Sequence, residues 1–193
     1  MSCLLTSVHV LKVKRMEILA RSVLVALLGT CVTLAASGAA GAAPEHPKNW
    51  TPPAAKIYAQ KLSDEIMATH PELISVTFHG VPPGQTDTYT MFAGSYPDRI
   101  GNADDPDDID ISKKGITILD SRWHRTNDTV KKFVMMLPLR DASGENVGEI
   151  VIAYKNPADS GKTEKDFFLA STRLRDSLMK KIPSYAALFE PAR

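Results

Sequence analysis

The chain has 193 residues, of which 44% are hydrophobic and 23% are charged, and its formal net charge is +1. This length corresponds to about one domain of ~150 residues once a targeting segment is removed. The composition is that of a soluble globular protein, and the absence of a strongly basic segment argues against a nucleic-acid partner.

The N-terminal segment differs in kind from the rest of the chain. Residues 22–36 form an uncharged apolar run that follows Arg21 and precedes a series of small residues. This order, ending in the A-x-A pattern at 40–42, is typical of a secretory signal peptide cleaved after Ala42. The run is shorter than the ~20 residues of a membrane span, so a periplasmic or secreted protein is expected. Residues 1–15 are interpreted as an over-long start or an extended basic leader.

Cleavage after Ala42 changes both the charge and the cysteine content. The mature chain keeps 19 basic and 21 acidic residues and loses both cysteines, Cys3 and Cys31. Without cysteine it has no disulfide, no thiol nucleophile, no Cys-based zinc site and no c-type haem attachment. A lipid anchor at Cys31 is disfavoured, because Thr30 is unusual directly before a lipidated cysteine and further apolar residues follow.

The mature chain is predicted to run helix, two strands, a helical excursion, three strands, helix. Residues 43–53 are proline-rich and predict an extended lead-in. Apolar residues at helical spacing predict a first helix over 54–70 and a last one that begins near Thr163 and ends at Pro183. The β-rich segments that predict strands are 73–80, 88–95, 115–124, 131–141 and 145–155.

The segment LPLRDASGENVGEIVIAYK, residues 137–155, predicts the last hairpin. Its Asp141 and Ser143 favour a turn, and Gly144 can adopt a positive φ. Helices at both ends with antiparallel strands between them indicate an α+β fold with one five-stranded sheet. The predicted domain covers 54–183, and residues 184–193 are predicted as a C-terminal tail.

The same hairpin resembles the last strand pair of PAS-like extracytoplasmic sensor domains of the single-Cache type. Residues 105–120, DPDDIDISKKGITILD, are similar to the short helix and return strand before that pair, and 54–70 is similar to the N-terminal helix. The resemblance covers roughly 54–182. It implies a five-stranded antiparallel sheet with a long N-terminal helix, a short helical excursion between strands 2 and 3, a C-terminal helix and a small-ligand pocket.

Domains of this type usually sit between two membrane helices and signal to a kinase or chemoreceptor module. The chain contains no second apolar span. The resemblance therefore implies a free-standing exported binding protein or a sensory accessory subunit.

The acidic loop at 96–115 admits two interpretations. Its aspartates suit Ca²⁺, which prefers several carboxylates, but an EF-hand loop starting at Asn102 would lack its central glycine and would have Lys113 in place of the bidentate glutamate. Alternatively, Asp105 caps a helix, Pro106 takes the first helical position, and the two following aspartates complement the helix dipole. We favour the helix start.

Candidate ligand-binding residues lie between the second and fourth predicted strands. Arg122 offers a planar fork for a carboxylate and Trp123 offers a stacking face. Strand alternation places Trp123 and His124 on opposite faces, so only one of the faces can line a pocket. The alternative is that Trp123 belongs to the core and its charged neighbours are solvated. The apolar candidates are likewise more often core than pocket lining. The predicted ligand-binding residues are Tyr89, Met91, Arg99, Arg122, Trp123, His124, Phe133 and Met135.

Other chemistry finds little support in the sequence. His46, His70, His79 and His124 fall in different elements and match no metal motif, so neither a metal site nor a cofactor is expected. The nucleotide-binding and G-x-S-x-G signatures are absent. No catalytic residues are assigned.

Three hypotheses of function follow. The first is an exported sensory domain that binds a small metabolite, with an anion as one candidate, between its sheet and helices. The second is a pocketless interaction module that forms a homodimer or docks on a membrane-bound or periplasmic partner. An enzyme is least favoured, because it needs a cleft with converging titratable residues that the sequence does not reveal.

Overall fold

A five-stranded antiparallel sheet organises residues 47–119 and 130–192, the part of the chain that the computed structural model describes. The spatial order is β2-β1-β5-β4-β3. The strands are β1 (Leu73–Gly80), β2 (Thr90–Gly94), β3 (Ile118–Leu119), β4 (Lys132–Arg140) and β5 (Asn146–Lys155). The helices are α1 (Tyr58–Thr69), α2 (Pro106–Lys114) and α3 (Glu164–Met179), with 3₁₀ turns at Pro97–Arg99 and Ala186–Phe189.

The predicted α+β class with five antiparallel strands is therefore confirmed. The predicted signal peptide and the second half of the predicted third strand lie outside the described residues. Within the described ranges, no helix is long and apolar enough to cross a membrane.

The main core lies on one face of the sheet, under α1 and α3. Side chains alternate along each strand, so Val76 and Phe78 of β1 meet Ile150 and Ile152 of β5 in this core. Leu137 and Leu139 of β4 join the same cluster, as their shared face predicts. The helix α3 is held by its apolar face and by a buried hydrogen bond of 3.0 Å, which the Ser171 hydroxyl donates to the Tyr154 hydroxyl.

The opposite face of the sheet is only partly covered. The helix α2 packs there through Ile111, which joins Val134, Met136 and Ala153 in a small second cluster. Ile74 packs against this second cluster and not with Val76, because a bulge between Leu73 and Ser75 shifts the register of β1. The uncovered remainder of this face forms the cleft described below.

The start of α2 follows the predicted helix-start rules. Asp105 is the N-cap, Pro106 opens the helix, and the Asp105 backbone amide donates to Asp108 Oδ2 at 2.9 Å. The helix ends at Gly115, whose φ of 65° is the left-handed conformation that favours glycine. The helix-start interpretation of the acidic loop is confirmed. The helix α3 also begins with a capping box, in which the Thr163 amide donates to Asp166 Oδ2 at 2.8 Å.

Residues 56–58 pair with residues 190–192, which changes the predicted boundaries. The helix α1 begins at Tyr58 and not at residue 54, because the Tyr58 amide donates to the Glu190 carbonyl and the Ala192 amide donates to the Lys56 carbonyl. The residues after Pro183, predicted as a tail, fold back against the domain, and Leu188 is fully buried in the main core. The helix α3 ends at Met179, ahead of the predicted end.

The turn between β4 and β5 is built around one carboxylate. Asp141 Oδ1 accepts hydrogen bonds from the Ser143 amide at 2.9 Å, the Ser143 hydroxyl at 2.6 Å and the Glu145 amide at 3.2 Å. Gly144 has a φ of 90°, as the predicted turn requires. Hydrogen bonds from Ser143 and the backbone outweigh partial burial and hold the pKa of Asp141 below its ordinary value.

We expect Asp141→Ala to lower the free energy of unfolding by about 1–2 kcal/mol, because three donors lose their acceptor. Urea denaturation measures the change. Since the folded-state pKa of Asp141 lies below the unfolded one, this stabilisation is present above the unfolded pKa and is lost as the pH falls through the folded one. The difference in free energy of unfolding between the wild type and Asp141→Ala should therefore become smaller at acidic pH. Asp87→Ala, at an exposed site, is the control, and an equal loss in both variants would contradict the assignment.

Candidate functional site

A cleft of about 140 Å³ opens on the partly covered face of the sheet, beside α2. Its floor is apolar with two hydroxyl groups and comes from the three central strands: Ser75, Thr77, Val134, Val151 and Ala153. A cavity of roughly 150 Å³ accommodates a ligand the size of benzene. The cleft therefore has room for a small metabolite of that order.

Two cationic side chains, those of Arg99 and Lys132, line the cleft. Arg99 follows the 3₁₀ turn after β2, and its Cζ atom lies 5.0 Å from the ring centroid of Tyr96. This cation–π contact holds the guanidinium at the edge of the cleft. Lys132, the first residue of β4, lines the same cleft. The lining of the cleft therefore includes two side chains of the type that pairs with anionic groups.

Four titratable side chains converge at the buried end of the cleft: His79, Asp104, Asp108 and Glu149. We call them the buried cluster. His79 and Glu149 are direct partners across β1 and β5, so their side chains leave the sheet on the same face. The chain between β2 and α2 supplies Asp104, and the first turn of α2 supplies Asp108. The cluster thus joins two strands to the start of a helix.

His79 is fixed by a hydrogen bond at each ring nitrogen. Its Nδ1 atom lies 2.7 Å from Asp104 Oδ1, and its Nε2 atom lies 2.8 Å from Thr77 Oγ1. The Asp104 side chain is fully buried, and the His79 side chain is 12% exposed. The imidazole therefore has little freedom to reorient.

The buried cluster places one imidazole among three carboxyl groups, and this arrangement shifts the pKa values of its members. Burial alone would lower the pKa of His79, but the charge and hydrogen bond of Asp104, followed by Asp108 and Glu149, outweigh it and raise that pKa to about 10. Burial raises the pKa of Asp104, and the charge and hydrogen bond of His79 partly offset this increase. Because three carboxyl groups surround one imidazole, we assign the proton to His79 and treat this contact as an ion pair at neutral pH.

Glu149 is the least compensated member of the buried cluster. Its side chain is fully buried, and within the described residues neither carboxyl oxygen has a hydrogen-bond donor. Burial raises the pKa of Glu149 well above its ordinary value, and although His79 lowers it, the nearby Asp108 and Asp104 raise it further. One atom each of His79, Asp108 and Glu149 lie within 4.8 Å of one another. This spacing is compatible with a shared proton or a shared cation.

Thr77, His79 and Asp104 form a hydroxyl–imidazole–carboxylate chain with the connectivity of a hydrolase triad. A general base must accept the proton of the hydroxyl. With its pKa at about 10, the imidazole carries both ring protons at neutral pH and donates to Thr77 Oγ1. In this protonation state the chain is a structural hydrogen-bond network.

The predicted ligand-binding residues are distributed over several parts of the molecule. Met91 and Arg99 meet in the cleft. Tyr89 lines a different cavity of about 220 Å³ together with Tyr185. Phe133 and Met135 belong to the main core on the other face of the sheet, where the Phe133 ring stacks on Phe167 with centroids 4.5 Å apart. The positions predicted at Arg122, Trp123 and His124 lie outside the described residues.

The buried cluster was not predicted as a site, although one signal for it exists in the sequence. In β5 the residues Glu149, Val151 and Ala153 alternate with the core residues Ile150, Ile152 and Tyr154. A strand that is apolar on both faces is buried on both faces, so a lone glutamate in it is a buried acid. Its partners cannot be identified in this way, because they come from other elements.

Comparison with protein-family models, with curated proteins and with solved structures finds no match for this chain. The function is therefore inferred from the chemistry of the cleft and of the buried cluster.

We expect Glu149→Gln to raise the free energy of unfolding in the presence of EDTA by about 1–2 kcal/mol, or roughly 2–6 °C in melting temperature. The amide keeps the shape of the side chain and can donate a hydrogen bond to Asp108, whereas a carboxylate needs an added proton to do so. Thermal unfolding followed by circular dichroism measures the shift.

The matched control for this prediction is Glu145→Gln, the same substitution at an exposed position in the same hairpin. It should change stability by less than about 0.5 kcal/mol. A lower melting temperature for Glu149→Gln would show that the native carboxyl group makes a favourable interaction which the amide cannot replace.

Proposed function

We propose that this protein is an exported sensory domain of the PAS/Cache-like type that binds a small anionic metabolite in the cleft beside α2. The observation that carries the proposal is the cleft itself, an apolar floor bordered by Arg99 and Lys132. The apolar N-terminal run supports export to the periplasm or the exterior, and the five-stranded sheet is compatible with the family resemblance.

The lining of the cleft suits a small organic ligand. Such ligands are held by mostly apolar surfaces with a few well-placed polar groups. Val134, Val151 and Ala153 supply the apolar surface, and the hydroxyl groups of Ser75 and Thr77 lie among them. Because these residues belong to paired strands, the floor keeps its shape when a ligand leaves.

The distribution of charge favours one orientation of the ligand. Arg99 offers a planar pair of donors for a carboxylate, and its contact with Tyr96 restricts the side chain before binding. The lining also includes the acidic side chains of Asp104, Asp105 and Asp108. A carboxylate on the ligand therefore binds at the Arg99 edge, away from these acids.

The arrangement supports binding in preference to catalysis. The polar groups at the buried end are engaged with one another, as the contacts of His79 with Thr77 and Asp104 show. A cleft of this kind also favours ligand binding over a pocketless interaction module. The proposal assigns no catalytic residue to this chain.

The proposal is tested by a thermal-shift screen of the purified protein against amino acids, carboxylates and purines, all in EDTA. A ligand that binds only the folded state raises the melting temperature. At a free ligand concentration of a hundred times Kd, it adds about 2.7 kcal/mol to the free energy of unfolding. For a carboxylate hit, Arg99→Ala should weaken binding about 10- to 100-fold, since a charge-assisted hydrogen-bonded pair is lost. Isothermal titration calorimetry measures the change.

Arg173→Ala is the matched control, because Arg173 is exposed on α3 and α3 packs on the other face of the sheet. It should leave the affinity unchanged. A panel without any response, combined with a stable dimer in light scattering, would reject the proposal and favour the interaction module.

A further inference from the structure

We propose that His79, Asp108 and Glu149 form a binding site for one divalent transition-metal ion, Zn²⁺ or Mn²⁺, at the buried end of the cleft. The three residues each offer one ligand atom, and these atoms lie within 4.8 Å of one another. This inference goes beyond the proposed function and does not depend on the identity of any ligand in the cleft.

The first argument is the state of Glu149. A buried carboxyl group without a hydrogen-bond donor is destabilising, and both oxygens of Glu149 lack a donor within the described residues. Asp104 Oδ2 is also buried and without a partner there. A divalent cation bound by His79, Asp108 and Glu149 would compensate the unpaired carboxylate of Glu149.

The second argument is the combination of ligand types. One imidazole nitrogen with two carboxylate oxygens matches the preferences of Zn²⁺ and Mn²⁺, whereas Ca²⁺ and Mg²⁺ prefer an all-oxygen set. Three protein ligands also leave at least one coordination position for water or for a ligand in the cleft.

The third argument is the support around His79. A metal-bound histidine usually donates its other ring N–H to a carboxylate, which fixes the orientation of the ring. Asp104 lies 2.7 Å from Nδ1 and fills this role. The contact at Nε2 is with the neutral Thr77 hydroxyl, and a metal ion bound at Nε2 would replace this hydrogen bond together with the ring proton that makes it, which is released to solvent.

The fourth argument is access. His79 and Asp108 line the cleft as well as belonging to the buried cluster, so an ion entering from the cleft reaches two of its ligands directly. Glu149 lies behind them and is fully buried. The site therefore has both an entry path and a protected interior.

The test is isothermal titration calorimetry of the full chain, stripped with EDTA and dialysed, against zinc chloride and manganese chloride, with magnesium chloride as the comparison. We expect one ion per chain for zinc or manganese, no saturable binding of magnesium, and a higher melting temperature with the bound metal. Glu149→Gln should weaken metal binding about 100-fold or more. Asp104→Asn should weaken it about 10- to 100-fold, as loss of a histidine-orienting carboxylate typically does.

Glu145→Gln provides the control for charge, since it removes a carboxylate of the same hairpin at an exposed site, and it should bind metal as the wild type does. A cooperative thermal transition of Glu149→Gln establishes that the variant is folded. The absence of zinc and manganese binding by the wild type at about millimolar concentration, or equal binding by wild type and Glu149→Gln, would overturn the proposal. Since these titrations contain no organic ligand and the metabolite screen contains no free metal, failure of one proposal is distinguishable from failure of the other.

Discussion

The burial of β5 on both faces is the constraint on which the rest of the structure depends. This strand pairs with β1 on one side and with β4 on the other, so its alternate residues must suit two different environments. Ile150 and Ile152 enter the core under α1 and α3, and Val151 and Ala153 form the floor of the cleft. One strand therefore stabilises the domain and shapes its candidate binding surface.

The same constraint places Glu149 where water cannot reach it. The neighbouring Gly148 has a φ of 129°, and a Cβ atom there would collide with the His79 carbonyl oxygen. The close approach of the two strand backbones at this point brings the side chains of His79 and Glu149 together. The buried cluster thus depends on Gly148, which contributes no polar group but allows the two strands to approach closely.

Much of the fold follows from local signals in the sequence. Alternation and turn residues predict β1, β4, β5 and the turn at Asp141, because strand pairing within a hairpin is a short-range event. The boundaries of α1 and α3 are less well predicted. Tyr58 and Lys56 pair with residues near the C-terminus, and an interaction across more than 130 positions leaves no periodic signal.

The candidate site is predicted less well than the fold, for the same physical reason. Arg99 and Met91 line the cleft, whereas Phe133 and Met135 follow the ordinary rule that apolar strand residues form the core. The aspartates at 105–108 satisfy helix-start rules, and this local role conceals that Asp108 also faces His79. Asp108 therefore has a local role at the start of α2 and a long-range role in the buried cluster, and only the three-dimensional structure reveals the second.

The contribution of the C-terminal residues to the core has a consequence for the order of synthesis and folding. Leu188 is fully buried among residues of the main core, and the Phe189 ring lies 4.7 Å from that of Phe92. The core therefore closes only after almost the whole chain has left the ribosome, at about 5–20 residues per second. Until Leu188 is available, the core under α1 and α3 lacks one of its fully buried side chains.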